Sequence, residues 1–391
     1  MAAMQFGVKA SEVFTPGAPI NSRDLFAGRL SQINRVIQAL TQPGRHPIVF
    51  GQRGVGKTSL ANILKELLPE IMSVKASCDS SDTFKSIWNR LLQKTSVSFR
   101  EKAFGFSREE SEQKAGLASY LGKDNGASPS DVATVLEKVH TRAVFILDEF
   151  DRVTDDAAKT KMADLIKNVS DNLPKVTLVI VGVSASVADL VGKHPSIERN
   201  LVEIEIPVMP DKEIQEIVTR GCHHLGIKFS DEIPLEVARL AGGFPHYAHL
   251  LGLSMAKACD LRETDYVVIQ LFNDLVCGLA VEDAIEHYRQ SFSMATKTIQ
   301  QSRYPKVLCA CAYARHDENG VFRATDVVEA YNGWFGEDLT LQAVVPVLAE
   351  FANAERGPVL HKVPVRSRTH YRLCDPMMRP FLRIKARSLT E

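Results

Sequence analysis

The spacing of apolar and polar positions divides the chain into successive regimes. Between residues 46 and 210, short β-rich apolar runs alternate with helical patterns, which predicts a parallel sheet covered by helices. Strands are expected at Pro47–Phe50, Ile71–Ser77, Ala143–Leu147 and Lys175–Val183. All but the second are near-continuous apolar runs, as strands covered on both faces should be. Lys94–Ser130 is polar and rich in Ser, Gly, Lys and Glu, and reads as a mobile insertion outside the core. Ahead of the sheet, residues 1–45 form a lead-in with Pro16, Pro19 and Pro43 and one helix near Ser31–Leu40. From Asp211 to Ser302 the pattern is helical throughout, with Ile214, Ile217 and Val218, then Leu235, Val237 and Leu240, at helix spacing. Beyond Tyr304-Pro305, helices are predicted at Tyr304–Ala314, Arg323–Trp334 and Leu341–Ala354. The strands Val359–Pro364 and His370–Cys374 follow, around a turn at Val365–Thr369, and three helices with a hairpin read as a winged helix.

Glycines add chemistry to this pattern. The first strand runs into Gly51-Gln52-Arg53-Gly54-Val55-Gly56-Lys57-Thr58, and Ser59 begins a helix with apolar residues at 60, 63, 64, 67 and 68. A strand, a GxxxxGK[ST] loop and a helix form the context that a phosphate-binding loop requires. Its glycines let successive backbone N–H groups curl around phosphates, and the helix points its positive dipole end at the same anion. In such a loop Lys57 reaches the β- and γ-phosphates of ATP and the Thr58 hydroxyl ligates Mg²⁺.

The third predicted strand ends in Asp148-Glu149-Phe150-Asp151. Two acids are thereby delivered to the carboxyl edge of the sheet, where open α/β folds bind ligands. Asp148 is expected to hold Mg²⁺ through its water shell, and Glu149 to polarise the attacking water. The strand Ile71–Ser77 between the two motifs suits the ATPase class that inserts a strand there and uses a catalytic glutamate.

With both motifs placed, residues 13–388 resemble the AAA+ ATPases of the origin-recognition and initiator group, overlapping the STAND switch ATPases. Phe14-Thr15-Pro16-Gly17 and Leu25-Phe26-Ala27-Gly28-Arg29 are similar to the lead-in that packs on adenine in this group. The resemblance implies an α/β P-loop core with a parallel sheet at 46–210, an α-helical lid at 211–302 and a winged helix at 303–391. It places a γ-phosphate sensor after the fourth strand, where Ser184 and Ala185 stand, and an arginine finger at Arg199. In the lid, Gly242-Gly243-Phe244-Pro245-His246 is closer to the GxP signature of STAND proteins than to an initiator's second sensor. Pro245 would shape a tight helix entry against the nucleotide, and His246 either approaches the phosphates or simply packs.

Charge and cysteines narrow the remaining choices. Lys plus Arg and Asp plus Glu number 47 each, so any nucleic-acid surface must be local. The third C-terminal helix has no Lys or Arg with which to read a groove, whereas residues 361–391 carry eight basic residues against two acids. Arg366, Arg368 and Arg372 are the expected phosphate contacts if DNA is a partner; otherwise this is a solvated surface. The competing expectation is a switch with a protein partner or a homo-oligomer. Seven scattered cysteines give neither a disulfide framework nor a CxxC metal pair, and Cys222-His223-His224 point to different helix faces. No apolar run approaches the ~18 residues of a membrane span, and no signal peptide is visible, so a cytoplasmic protein is expected.

Overall fold

The computed structural model describes residues 6–20, 25–100, 112–121, 127–184, 195–297, 303–365 and 368–389. The chain forms two compact units, residues 19–207 and a second built from 1–18 together with 208–391.

The first unit is an α/β layer. Strands β1 (His46–Gly51), β2 (Met72–Ser77), β5 (Ala143–Asp148), β6 (Val176–Val183) and β7 (Leu201–Glu205) form one parallel sheet in the order β2-β5-β6-β1-β7. Every residue of β1 and β5 is buried, as their unbroken apolar runs predict, whereas β2 alternates and occupies an edge. Because all five strands run the same way, Gly51, Ser77, Asp148 and Val183 end on one edge of the sheet. Under it, Trp88 of the helix Phe84–Gln93 packs on Phe145, ring centroids 5.7 Å apart, with Leu91, Met162 and Ile166 buried around them.

The stretch 94–130 is not simply an insertion outside the core. Strands β3 (Ser96–Arg100) and β4 (Glu112–Gly116) pair antiparallel, and Leu117, Leu121 and Ala127 are buried in the main cluster. Leu117 and Leu121, four residues apart, anchor an otherwise polar segment. The helix Pro129–Leu136 then starts with a capping box between Ser128 and Asp131. Residues 101–111 and 122–126 lie outside the described residues.

In the second unit the helix Gly7–Val13 packs on the helices Asp211–Leu225 and Pro245–Arg262. The Asp260 carboxylate accepts from the amides of Phe6 and Gly7 at 3.1 and 3.2 Å, satisfying N–H groups at that helix's start. Phe14 follows, its ring in a slot made by two glycines: a Cβ on Gly221 or Gly252 would come within 2.3 Å of it. The expected all-helical run is interrupted by a two-residue parallel pairing of β8 (Lys228–Phe229) with β9 (Tyr266–Val267). Helices Tyr304–Tyr313, Ala324–Phe335 and Leu341–Phe351 accompany a sheet in the order β10 (Val321–Phe322), β12 (Arg368–Leu373), β11 (Leu360–Val365), with β10 between the first two helices. An additional helix, Met378–Arg387, closes the chain by burying Phe381, Leu382 and Ile384. Among the described residues no helix is long and apolar enough to cross a membrane.

Candidate nucleotide site

The loop between β1 and the helix Lys57–Leu67 bends through left-handed backbone at Gly54 (φ 80°) and Gly56 (φ 95°). A Cβ at Gly51 would meet the Ile206 carbonyl oxygen at 2.4 Å, so the loop leaves the sheet through a passage only glycine fits. No side chain caps the helix that begins at Lys57, as suits a helix start that receives phosphate. The buried Lys57 ammonium donates across the loop to the carbonyls of Gly51 at 2.9 Å and Gln52 at 2.7 Å. Burial lowers its pKa to about 8, against the opposing pull of Asp151 and Asp148.

Two lead-in contacts brace the loop. Arg29, buried and left-handed at φ 62°, donates to the Val55 carbonyl at 3.0 Å, and the Ser59 hydroxyl accepts from the Ile20 amide at 3.1 Å. Arg53, by contrast, is exposed.

The sheet order brings the acidic strand end to this loop with β6 between them. Asp148 is 2% exposed, its Oδ1 lies 3.4 Å from the Thr58 hydroxyl, and its Oδ2 pairs with Lys75 of β2 at 2.8 Å. Hydroxyl and carboxylate oxygens make a hard donor set, which fits Mg²⁺. Glu149 adopts a left-handed conformation (φ 56°, ψ 35°), which turns its side chain away from that of Asp148. Its carboxylate is half exposed and pairs with Arg152 at 3.2 Å. Asp151, two residues on, accepts from the Val183 amide at 2.7 Å and so ties the β5 turn to the end of β6. Ser184 follows Val183, which is level with Gly51 in the sheet. Ala185 lies outside the described residues.

The model of the family described as Novel STAND NTPase 1 matches residues 19–352. The chain belongs to the STAND NTPases. It is similar to a solved Walker-type ATPase of Pyrococcus abyssi at 16% identity and a TM-score of 0.51, covering 95% of this chain and 99% of that one. Weaker similarity, at a TM-score of 0.49 and 16% identity over 95% of each chain, is found to the Aeropyrum pernix ORC1 protein in complex with DNA. The Thermotoga maritima RuvB Holliday junction branch migration motor matches at 0.45 and 15%, over 88% of this chain and 93% of that one. At such identities the likeness is one of fold. The match agrees with the P-loop NTPase that the two motifs imply and with the overlap with STAND ATPases in the resemblance.

Arg199, in the same unit as the loop, does not gather there. Arg199 is 77% exposed and 4.0 Å from Asp171, just before β7. Leu201 is level with His46, so Arg199 lies at the opposite edge of the sheet, about 20 Å from the phosphate loop at 3.3 Å per residue. Pro245 and His246 begin a helix of the second unit, where His246 Nδ1 lies 2.7 Å from the Pro16 carbonyl oxygen. A carbonyl oxygen only accepts, so Nδ1 carries the hydrogen of this bond, and burial keeps the histidine's pKa below the usual value. Phe14, which the resemblance associates with adenine, is enclosed in its glycine slot instead.

The basic tail is more structural than its composition suggested. Arg387 pairs with Glu236, which also takes a bidentate pair from Arg239 at 2.9 and 3.0 Å. Arg383 donates to the carbonyls of Arg239 at 2.7 Å and Ala312 at 3.2 Å. These guanidiniums surround the stacked rings of Tyr313 and Trp334, 4.2 Å apart, with Arg387 5.0 Å and Arg239 5.3 Å from the Trp334 centroid. Burial lowers the Arg379 pKa to about 10. Arg368 and Arg372 of β12 are exposed, and Arg366 lies outside the described residues. Among the described residues no cluster suited to a bound metal of the His/Cys kind occurs, and Cys222 is buried.

Proposed function

We propose that this STAND NTPase hydrolyses ATP to ADP and phosphate with Mg²⁺, and that the nucleotide state sets the disposition of a lid (211–302) and a winged helix (303–391) relative to the core (46–210) and its lead-in (1–45). The observation that carries the reading is the convergence of Lys57, Thr58, Asp148 and Glu149 from three elements on one sheet edge. Residues 51–59 cradle the phosphates through their N–H groups, and Lys57 exchanges its two loop carbonyls for phosphate oxygens. Thr58 and Asp148 would hold Mg²⁺, which would supply charge neutralisation at the transferring phosphoryl group. Glu149, released from Arg152, orients a water against the γ-phosphorus and takes its proton at a carboxylate oxygen. Ser184 senses the γ-phosphate, Pro245 and His246 shape the nucleotide's contact with the lid, and Arg199 acts on a neighbouring copy.

Lys57→Ala and Glu149→Gln separate binding from turnover. Binding stabilises by RT ln(1 + [L]/Kd), about 2.7 kcal/mol at a hundredfold excess over Kd. Saturating Mg·ATP should therefore raise the melting temperature of the turnover-dead Glu149→Gln variant and leave Lys57→Ala unmoved. Equal shifts in the two variants would overturn the assignment.

The output we favour is a signalling or defence switch acting on a protein partner. Half of the tail's charge argues for this: Arg379, Arg383, Arg387 and Lys385 are at least partly buried, and the third helix contains Pro346 and no basic residue. The second reading is a DNA-associated ATPase that touches phosphates through the exposed Lys362, Arg368 and Arg372 of the hairpin.

A further inference from the structure

Asp148 has a close polar neighbour at each oxygen, hydrogen-bond donors at one and an ion-pair contact without hydrogen-bond geometry at the other. Oδ1 accepts from the Glu149 amide at 3.0 Å and faces the Thr58 hydroxyl, while Oδ2 meets the Lys75 ammonium. Lys75 comes from the edge strand β2, and the same ammonium donates to Asn62 Oδ1 at 2.6 Å. Asn62 stands four residues after Thr58 in the helix Lys57–Leu67, so the two side chains share one face. Thr58, Asp148, Lys75 and Asn62 therefore close a ring, completed by a single helical turn. A simple counter-ion for a buried carboxylate would need only the contact with Asp148. The hydrogen bond to Asn62 fixes where the ammonium sits, and with the ion pair it links the phosphate-loop helix to β5.

We propose that Lys75 is a positioning residue for the divalent cation. It pins one oxygen of Asp148 so that the other faces Thr58, and through Asn62 it sets the spacing between the two elements that supply the ligands. This rests on reading Thr58 and Asp148 as those ligands. The bland alternative, a charge that only neutralises Asp148, predicts the opposite sign. A nearby ammonium repels Mg²⁺, so removing it would tighten the cation if orientation did not matter. Supporting groups of metal ligands usually contribute about 10–100-fold to metal affinity.

Lys75 borders an open cavity of about 630 Å³ with Lys65, Glu66 and Lys94, and its side chain is 26% exposed, so replacing it leaves the packed core untouched. The test is the Mg²⁺ dependence of binding to a fluorescent ADP analogue, followed by anisotropy, with a parallel titration in EDTA. In Lys75→Met the Mg²⁺ concentration for half-maximal enhancement should rise about 10–100-fold, while affinity in EDTA stays at the wild-type value. Lys75→Arg, whose fork can bridge the same two partners, should restore most of the loss. If Lys75→Met does not fold, Lys75→Gln carries the titration, because its amide keeps N–H donors while losing the charge. An unchanged or lowered Mg²⁺ requirement in a folded variant overturns the proposal. Wild-type protein whose binding ignores Mg²⁺ would instead remove the underlying reading of Thr58 and Asp148.

Discussion

Lys57 shows how one side chain carries both a cost and a function. The pKa of about 8 lies below the usual 10.5, so between those values the unfolded chain binds more protons than the folded one. Stability therefore rises with pH across roughly 8 to 10.5, and below 8 the folded chain bears the cost of a buried ammonium. Phosphates reverse this preference by favouring the charged form. Nucleotide binding should then draw in nearly one proton at pH 9 and almost none at pH 7, and affinity should weaken as pH climbs past 8. Calorimetry of ADP binding at pH 9, in two buffers of different ionisation enthalpy, measures that proton. Buffer-independent heats would mean that Lys57 is already charged in the free protein. Glu149 carries a different cost: a left-handed backbone in a non-glycine residue, on the order of 1 kcal/mol, held by the turn that aims the carboxylate.

At the scale of elements, the helix Gly7–Val13 is anchored at its end by the ring of Phe14. Phe14→Ala would empty a slot whose walls are glycine backbone and cannot collapse inward, at a cost of about 3–5 kcal/mol. The expected result is a lowered melting temperature together with rapid proteolytic loss of the first residues. A side chain added at Gly221 should partly fill the vacancy, so Phe14→Ala/Gly221→Ala should be more stable than the sum of the two single changes. Additive losses would show that the ring does not occupy this slot. Such pairings mark where reading the sequence stops. The phosphate loop and the acidic strand end were legible because each is a contiguous run whose neighbours set its context. Lys75 was visible only as a polar interruption in the one predicted strand that was not continuously apolar; its partners lie 13 and 73 residues away. Leu117 and Leu121 vanished into a polar tract, and the fifth strand, Leu201–Glu205, alternates too briefly to stand out. Arg387 reads as solvated charge in the sequence because Glu236, its partner, lies 151 residues earlier.

For the whole molecule, the open question is what the C-terminal part touches. If it is duplex DNA, the contacts fall on the hairpin, because the tail arginines are occupied by Glu236, backbone carbonyls and the Tyr313–Trp334 stack. Removing one cation from a phosphate lowers the slope of log K against log salt by about 0.9. Arg368→Ala with Arg372→Ala should then weaken all duplexes alike and flatten the slope by about 1.8, which filter binding at several salt concentrations would measure. No salt-dependent binding by wild type, with ATP or ADP, would leave the protein-partner switch. The path of the chain constrains any such output. The second unit is made of two pieces separated in sequence by the entire α/β core, and both broken ends return to the same turn: the Pro16 carbonyl reaches His246, and the Met209 amide donates to the Gly243 carbonyl at 2.8 Å. The core is thus topologically a guest, spliced into a helical host whose two cut ends lie side by side, the arrangement under which domain insertion leaves the host's packing intact.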